Sequence, residues 1–173
     1  IIQTFNKETR HPIVGPCLVM EYVDGCTLKE FLKRNPSRKK RLKIVREILS
    51  ALSYFHSLQI IHRDLKPENI MITHNGNNVK IIDFGLADAD YYSSLKLSSG
   101  TLKYIALEQL NAPETVDCRA DIYSLGIILS ELKLPRAYSK IWKKCTQADR
   151  ECRYNSIADI QHKIKIVPTR RFL

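Results

Sequence analysis

Two segments of the chain have a helical distribution of apolar residues. In residues 41–58, apolar side chains recur at intervals of three and four positions and so share one face of an amphipathic helix; they are Leu42, Val45, Ile48, Leu49, Leu52 and Phe55. Residues 121–134 are apolar on nearly every face, which predicts a central buried helix that is stopped by Pro135. Shorter helices are predicted at residues 28–34, 139–146 and 157–165.

Short apolar runs predict three strands. Residues 17–23 are partly β-branched and aromatic and precede an Asp24-Gly25 turn. Residues 70–73 and 79–82 flank a segment that contains Asn-Gly, which favours a β-hairpin because both residues tolerate positive φ. The hairpin would bring Asn69, just before its first strand, close to Asp83, just after its second. Magnesium prefers such oxygen-bearing side chains as ligands.

The composition is that of a folded chain. With 173 residues, 44% apolar and 27% charged, the chain is long enough for one domain or for one large lobe of a larger one. It contains neither internal repeats nor low-complexity segments. The predicted fold class is α+β and mostly α-helical.

Charge and cysteine content narrow the choice of partners. The formal charge of +10 would attract phosphorylated, acidic or nucleic-acid partners, and part of it is one run that comprises Arg38, Lys39, Lys40, Arg41 and Lys43. That run is either a docking patch or the solvated start of a helix. No RNA-binding signature is present, so nucleic acid is not an expected partner. Five scattered cysteines without metal-binding spacing fit a reducing, cytoplasmic setting, and no apolar run approaches the roughly 20 residues of a membrane span.

The segment IIHRDLKPENIMI, residues 60–72, concentrates side chains suited to phosphoryl transfer. Such transfer needs alignment of an acceptor hydroxyl and neutralisation of phosphate charge rather than covalent participation by the protein. The residue types that could do this here are His62, Arg63, Asp64, Lys66 and Asn69. An isolated Asp or Asn would more simply be a turn or cap residue.

Five motifs in order make the chain resemble the eukaryotic-type protein kinases, serine/threonine branch. They are LVMEYV at 18–23, HRDLKPEN at 62–69, DFG at 83–85, GTLKYIALE at 100–108 and DIYSLGI at 121–127. The resemblance implies a kinase-like C-terminal lobe at residues 18–173, with a hinge strand at its N-terminus and a short hairpin at the cleft. It further implies a catalytic loop at 60–69, an activation segment at 83–108 and a remnant of the N-terminal lobe, or a linker, at 1–17.

The resemblance implies ATP and Mg²⁺ as cofactors and assigns roles to individual residues. Asp64 would accept the proton of the hydroxyl, Lys66 would offset charge near the γ-phosphate, and Asn69 with Asp83 would hold magnesium. Adenine would contact the hinge backbone, with Met71 below it and Met20 at the back. In addition to Asp83, the residues that would bind the cofactor are Met20, Glu21, Val23 and Met71. Without the resemblance, Met20 and Met71 are simply core residues.

Regulation and substrate docking would involve the activation segment. Arg63 would pair with a phosphate placed on that segment, and Ser98 or Ser99 is the candidate phosphosite, which makes an upstream activating kinase a further partner. The alternative is an exposed loop that is merely polar. Thr101 would contact the catalytic loop and help to form a shelf for a protein substrate with a Ser or Thr acceptor. Glu108 and Arg153 would form a buried ion pair.

Three departures from the family pattern keep a second function open. No glycine-rich loop, strand lysine or helix glutamate of the N-terminal lobe is recognisable before Leu18, and the polar surroundings of Lys7 argue against a strand there. Leu107 replaces the proline of A-P-E, and a helix and long loop that many family members use for substrates and partners are absent after Pro135. We expect that this chain is a piece of a longer, active kinase and that the piece alone is inactive. The alternative functions are a pseudokinase-like binding module and a small-molecule kinase.

Overall fold

The computed structural model describes residues 4–13, 15–83 and 102–166. The first sheet is an antiparallel pair, β1 (Thr4–His11) and β2 (Gly15–Met20), in which Thr4 lies opposite Met20 and His11 opposite Gly15. The prediction that Lys7 lies outside a strand is therefore wrong. Pairing with β2, which a register shift interrupts between Phe5 and Glu8, gives backbone hydrogen bonds to one edge of β1 and outweighs the polar character of its residues. The hinge strand ends at Met20 rather than at residue 23.

A second antiparallel sheet carries the predicted hairpin. Its strand order is β3 (Gly25–Thr27), β4 (Ile70–Thr73) and β5 (Val79–Ile81). Gly25, predicted as a turn residue, instead opens β3 opposite Thr73, and a Cβ at this position would lie 2.4 Å from the carbonyl oxygen of Ile72. Only glycine permits this approach of β3 to β4.

Of the six α-helices in the described residues, five form where the apolar pattern predicts them. The six are α1 (Leu28–Lys33), α2 (Arg38–Ser57), α3 (Leu107–Asn111), α4 (Arg119–Glu131), α5 (Ser139–Cys145) and α6 (Ile157–Ile166). Helix α4 ends four residues before Pro135, because Lys133 adopts a positive φ of 48°. Helix α3 was not predicted, since its five residues are too few to show a period.

The core lies between α2, α4 and the sheet that contains β4 and β5. Helix α2 contributes the predicted stripe, all of it buried, and α4 buries Ile122, Leu125 and Ile128 completely. Ile70, Ile72 and Ile81 cover the core from the hairpin side. The loop between α2 and β4 is thereby fixed at the edge of a rigid core, which is where the candidate chemistry lies.

Candidate active site

The loop between α2 and β4 presents its polar groups from a buried base. Leu65 and Pro67 are buried, and residues Pro67–Asn69 form a 3₁₀ turn in which Asn69 N–H donates to the Lys66 carbonyl at 2.9 Å. Proline at the first position of this turn costs no hydrogen bond, because that N–H would have no partner within the turn. The apolar residues of the loop therefore anchor it in the core, and its polar residues face the cleft.

Asp64, Lys66 and Asn69 are brought together as predicted. The Oδ2 atom of Asp64 accepts hydrogen bonds from Lys66 Nζ at 2.7 Å and from Asn69 Nδ2 at 2.9 Å. Asn69 Nδ2 also donates to the Asp64 backbone carbonyl at 2.9 Å. Within the described residues, Oδ1 of Asp64 accepts no hydrogen bond. The carboxylate is thus oriented through one oxygen while the other remains available to a hydroxyl group.

A buried carboxylate on α4 fixes the start of this loop. Asp121 is completely buried; its Oδ2 accepts from the His62 backbone N–H at 2.9 Å and contacts His56 Nε2 at 2.8 Å. Its Oδ1 accepts from the Arg63 backbone N–H at 2.9 Å. The position of Asp121 in the first turn of α4 also favours its negative charge. These contacts compensate for burial of the charge and hold Arg63 at a positive φ of 64°.

Gln109 of α3 holds the backbone of Arg63 from the other side. Its Nε2 donates to the Arg63 carbonyl at 2.8 Å, while its Oε1 accepts from the Ala106 N–H at 3.1 Å.

Sequence reasoning missed the roles of Asp121, Gln109 and His56. A charged residue at the start of an otherwise apolar helix was the available signal for Asp121, since a buried charge requires partners. Nothing local marks Gln109 or His56.

The hairpin places Asn69 and Asp83 side by side, as predicted. The Ile82 N–H donates to the Asn69 backbone carbonyl at 2.9 Å, and the Ile82 carbonyl lies 3.0 Å from His62 Nε2. Asp83 follows directly, with an exposed side chain and a φ of 64°. Within the described residues, neither the Asn69 Oδ1 nor the Asp83 carboxylate forms a hydrogen bond.

This donor set fits magnesium rather than a metal held by protein alone. Magnesium is usually bound through one or two carboxylates together with substrate phosphates. The described part of the chain contains no group of three or more His, Cys, Asp or Glu side chains placed to hold a metal ion. One amide oxygen and one carboxylate at the cleft agree with a metal that arrives with phosphates.

The predicted nucleotide residues lie at the hinge and in β4. Met20 is 46% exposed at the end of β2, Val23 is half-buried, and Met71 is half-buried in β4. The Glu21 carboxylate pairs with Lys80 Nζ at 3.0 Å, and Lys80 lies opposite Met71 in the β4–β5 register. The pair links the hinge to the hairpin. The substantial exposure of Met20 argues against its alternative assignment as a core residue.

Exposed charge borders the loop on the side of α1. Glu68 pairs with Lys29 Nζ at 2.7 Å, and both side chains are more than a third exposed. Burial would raise the pKa of Glu68, but the hydrogen bond and charge of Lys29 outweigh it, so that the pKa is lowered. Water screens such a pair, and its contribution to stability is small.

Residues 102–108, the end of the predicted activation segment, are fixed to α4 and to the C-terminal part of the chain. Tyr104 is buried; its hydroxyl donates to Glu131 at 2.9 Å, and Ser124 Oγ donates to the Tyr104 carbonyl at 2.6 Å. Burial, followed by the Glu131 contact, raises the pKa of Tyr104 well above its usual value. The predicted pair is confirmed, since Arg153 Nη1 lies 2.6 Å from Glu108 Oε1.

The other residues predicted to be regulatory are Ser98, Ser99 and Thr101, which lie outside the described residues. Their roles, and the pairing of Arg63 with a phosphate, stay predictions. Leu107, the departure from A-P-E, is the first residue of α3 and is 49% exposed.

The fold and this loop define a protein kinase catalytic lobe, and comparison with known proteins agrees. The family model for the protein kinase domain matches residues 2–171, so the chain belongs to the protein kinase family. It is 44% identical over 124 residues to a probable serine/threonine-protein kinase, SCO3848, of Streptomyces coelicolor, which covers 68% of this chain and 18% of that protein.

Two further relatives carry similar names. The serine/threonine-protein kinase PknB of Mycolicibacterium smegmatis is 43% identical over 124 residues, 68% of this chain and 20% of that protein. The serine/threonine-protein kinase PrkC of Bacillus subtilis is 42% identical over 120 residues, 66% of this chain and 18% of that protein. The chain thus spans about a fifth of the length of the curated relatives it matches. In the described part of the chain, every helix is too short or too polar to cross a membrane.

Proposed function

We propose that the protein to which this chain belongs is an ATP-dependent serine/threonine protein kinase. The observation that carries the proposal is the arrangement of Asp64, whose Oδ2 is held by Lys66 and Asn69 while Oδ1 accepts no hydrogen bond from the described residues. A carboxylate in this state can align a serine or threonine hydroxyl and accept its proton as the hydroxyl oxygen attacks phosphorus. The names of the relatives support the same activity for those proteins.

Each neighbour of Asp64 would have a distinct part in the transfer. Lys66 lies 2.7 Å from the carboxylate, so its ammonium group can also offset charge on the transferred phosphoryl group. Asn69 Oδ1 and the Asp83 carboxylate would hold magnesium, which when bound neutralises phosphate oxygens. The hydrogen bond from the Ile82 N–H to the Asn69 carbonyl supports this proposal, because it brings together the backbone segments that carry the two donors.

The nucleotide would lie between the hinge and β4. Backbone groups of Glu21 and Val23 would bind the adenine edge, and Met20 and Met71 would contact its faces. The Glu21–Lys80 pair supports this geometry because it fixes the hinge against the hairpin. Partners in this proposal are ATP, a protein substrate with a Ser or Thr acceptor, and an upstream kinase that acts on Ser98 or Ser99. A cytoplasmic location is part of the same proposal.

The test is phosphoryl transfer from labelled ATP to a generic basic protein, with and without Mg²⁺, by the protein in its natural full length. Asp64→Asn keeps the size of the side chain and removes its basicity, so transfer should fall by at least about 100-fold. Asp24→Asn is the matched control, since Asp24 is exposed and, within the described residues, its side chain pairs with His74 alone, at 3.0 Å. Activity that survives Asp64→Asn would refute the assignment of Asp64. No transfer by the unaltered protein would favour a pseudokinase-like binding module.

A further inference from the structure

A cavity of about 380 Å³ lies between α5, α6 and the segment that joins them. None of the catalytic or nucleotide-binding residues line it. The side chains that matter for its chemistry are Lys144, Arg153, Tyr154, Asp159, His162 and Lys163. The volume falls within the range of small-molecule sites, which is about 300 to 1,000 Å³.

The charges in this cavity do not cancel. The guanidinium of Arg153 is neutralised by Glu108, which it contacts at 2.6 and 3.0 Å. Among the described residues that line it, the only carboxylate is that of Asp159, whose Oδ2 already accepts from the Ser156 N–H at 3.1 Å and from Ser156 Oγ at 2.8 Å. Within the described residues, Lys144 and Lys163 have no acidic partner. The cavity therefore has a surplus of positive charge.

One of these cations is held in position by an aromatic ring. Lys144 Nζ lies 4.8 Å from the centre of the Tyr154 ring, a cation–π contact that orients the ammonium group at the edge of the cavity. Burial raises the pKa of Tyr154, so its hydroxyl stays protonated and able to donate a hydrogen bond. Lys163 and the adjacent His162 approach from α6. Donors thus reach the cavity from two helices and from the segment between them.

We propose that this cavity binds the phosphate group of a phosphate monoester. Phosphate offers three oxygen acceptors and close to two negative charges, which matches donors that converge from several directions better than a single carboxylate does. The source of the phosphate is a phosphorylated side chain or a small phosphorylated metabolite. The site is separate from the catalytic loop, and its occupation does not depend on phosphoryl transfer.

The probe is inorganic phosphate, added to the full chain at constant ionic strength, and the readout is the imidazole NMR signal of His162. A local readout is needed because Lys66 could also attract phosphate. The His162 signal is identified by its loss in His162→Gln. We expect a saturable shift of that signal. In Lys144→Gln/Lys163→Gln the affinity should fall at least about tenfold, because two charge-assisted contacts are removed.

The matched control is Lys140→Gln/Lys165→Gln, which removes the same charge from the same two helices outside the cavity. It should leave the affinity within about twofold, since exposed charges at a distance are largely screened. A shift that does not saturate, or an equal loss of affinity in both double variants, would overturn the proposal. Circular dichroism of each variant verifies that its fold is intact.

Two further ligands separate the sources of the phosphate. A short phosphoserine peptide that binds more tightly than glycerol phosphate assigns the site to phosphorylated side chains, and the reverse order assigns it to small metabolites. The unphosphorylated peptide should not shift the His162 signal; if it binds as well as the phosphopeptide, phosphate is not what the cavity recognises. Asp64→Asn should bind phosphate at this cavity normally, so failure of this proposal and failure of the kinase proposal are distinguishable.

Discussion

Replacing Arg153 by alanine tests the buried ion pair between Arg153 and Glu108. The Arg153 side chain is fully buried, and it makes five hydrogen bonds, two to the Glu108 carboxylate and three to the carbonyls of Arg119, Gln147 and Ala148. Its guanidinium also lies 5.0 Å from the centre of the Tyr123 ring. Every donor direction of the side chain is therefore used within the protein.

The cost of Arg153→Ala follows from what it leaves behind. Glu108 is only 11% exposed, so its carboxylate would stay largely buried without a counter-charge. Removal of one partner from such a pair costs about 3 to 5 kcal/mol in the free energy of unfolding. For a chain of this size, that corresponds to a melting temperature lower by roughly 6 to 20 °C. The three carbonyls that lose their donor add to the loss.

The assay is denaturant unfolding followed by circular dichroism, applied to a double-mutant cycle with Glu108→Gln. If the orphaned charge is the cause, Glu108→Gln should restore part of the stability lost in Arg153→Ala, because it neutralises that charge. Arg150→Ala is the control, since Arg150 contacts the Thr115 carbonyl and the exposed Glu151 near the surface; it should cost at most about 1 kcal/mol. An unchanged unfolding midpoint in Arg153→Ala, or equal effects of the two arginine substitutions, would refute the reasoning.

Three further predictions concern backbone, packing and pH. Leu107→Pro should leave the free energy of unfolding unchanged or raise it by up to about 1 kcal/mol, because Leu107 begins α3 and Ala106 before it is already extended. Leu110→Pro, inside α3, should lower the free energy of unfolding by about 3 kcal/mol. Denaturant titration of both variants measures the difference. Gly126→Ala should cost about 1 to 3 kcal/mol, since the new Cβ would lie 2.6 Å from Cys145 Cβ, while Ser130→Ala on the exposed side of α4 should change little; similar melting temperatures for the two variants would contradict this. Burial would raise the pKa of Asp117, but the hydrogen bonds and charge of Arg119 outweigh burial and lower it, and Arg119 also lowers the pKa of Glu151. The two carboxylates therefore stabilise the fold above their unfolded pKa values of about 4, and this stabilisation is lost as the pH falls through their lower folded pKa values. Arg119→Met should flatten this acid dependence of the free energy of unfolding, measured at pH values from about 5 down to 2.

The sequence predicted those parts of the fold that rest on local periodicity. The stripe of α2 and the hairpin around Asn75-Gly76 follow from rules that act over a few residues, and both form where expected. The hairpin then fixes Asn69 beside Asp83, so this half of the site could also be predicted. Element ends were less accurate, since the end of α4 depends on the positive φ of Lys133 and not on Pro135.

Other features depend on partners that are distant in sequence. Strand β1 is polar and forms by pairing with β2, and β3 forms by close approach to β4, so neither has a pattern of its own. The role of Gln109 arises only because α3 lies against the carbonyl of Arg63, 46 positions earlier. Contacts of this kind have no local signal in a single sequence.

The strained backbone of the loop at residues 60–69 shows why the distant contacts matter to its chemistry. A positive φ at Arg63 costs on the order of 1 to 3 kcal/mol, and within the loop the Asp64 N–H donates to the His62 carbonyl at 2.8 Å across that residue. Further compensation comes from Asp121, because a hydrogen bond to a charged acceptor contributes about 1.5 to 3 kcal/mol and Asp121 accepts one from Arg63 itself. Gln109 secures the carbonyl of the same residue. The motif supplies the reacting groups, but their orientation is set by the core of the lobe, so the Asp64 geometry requires α3 and α4 to be folded in place.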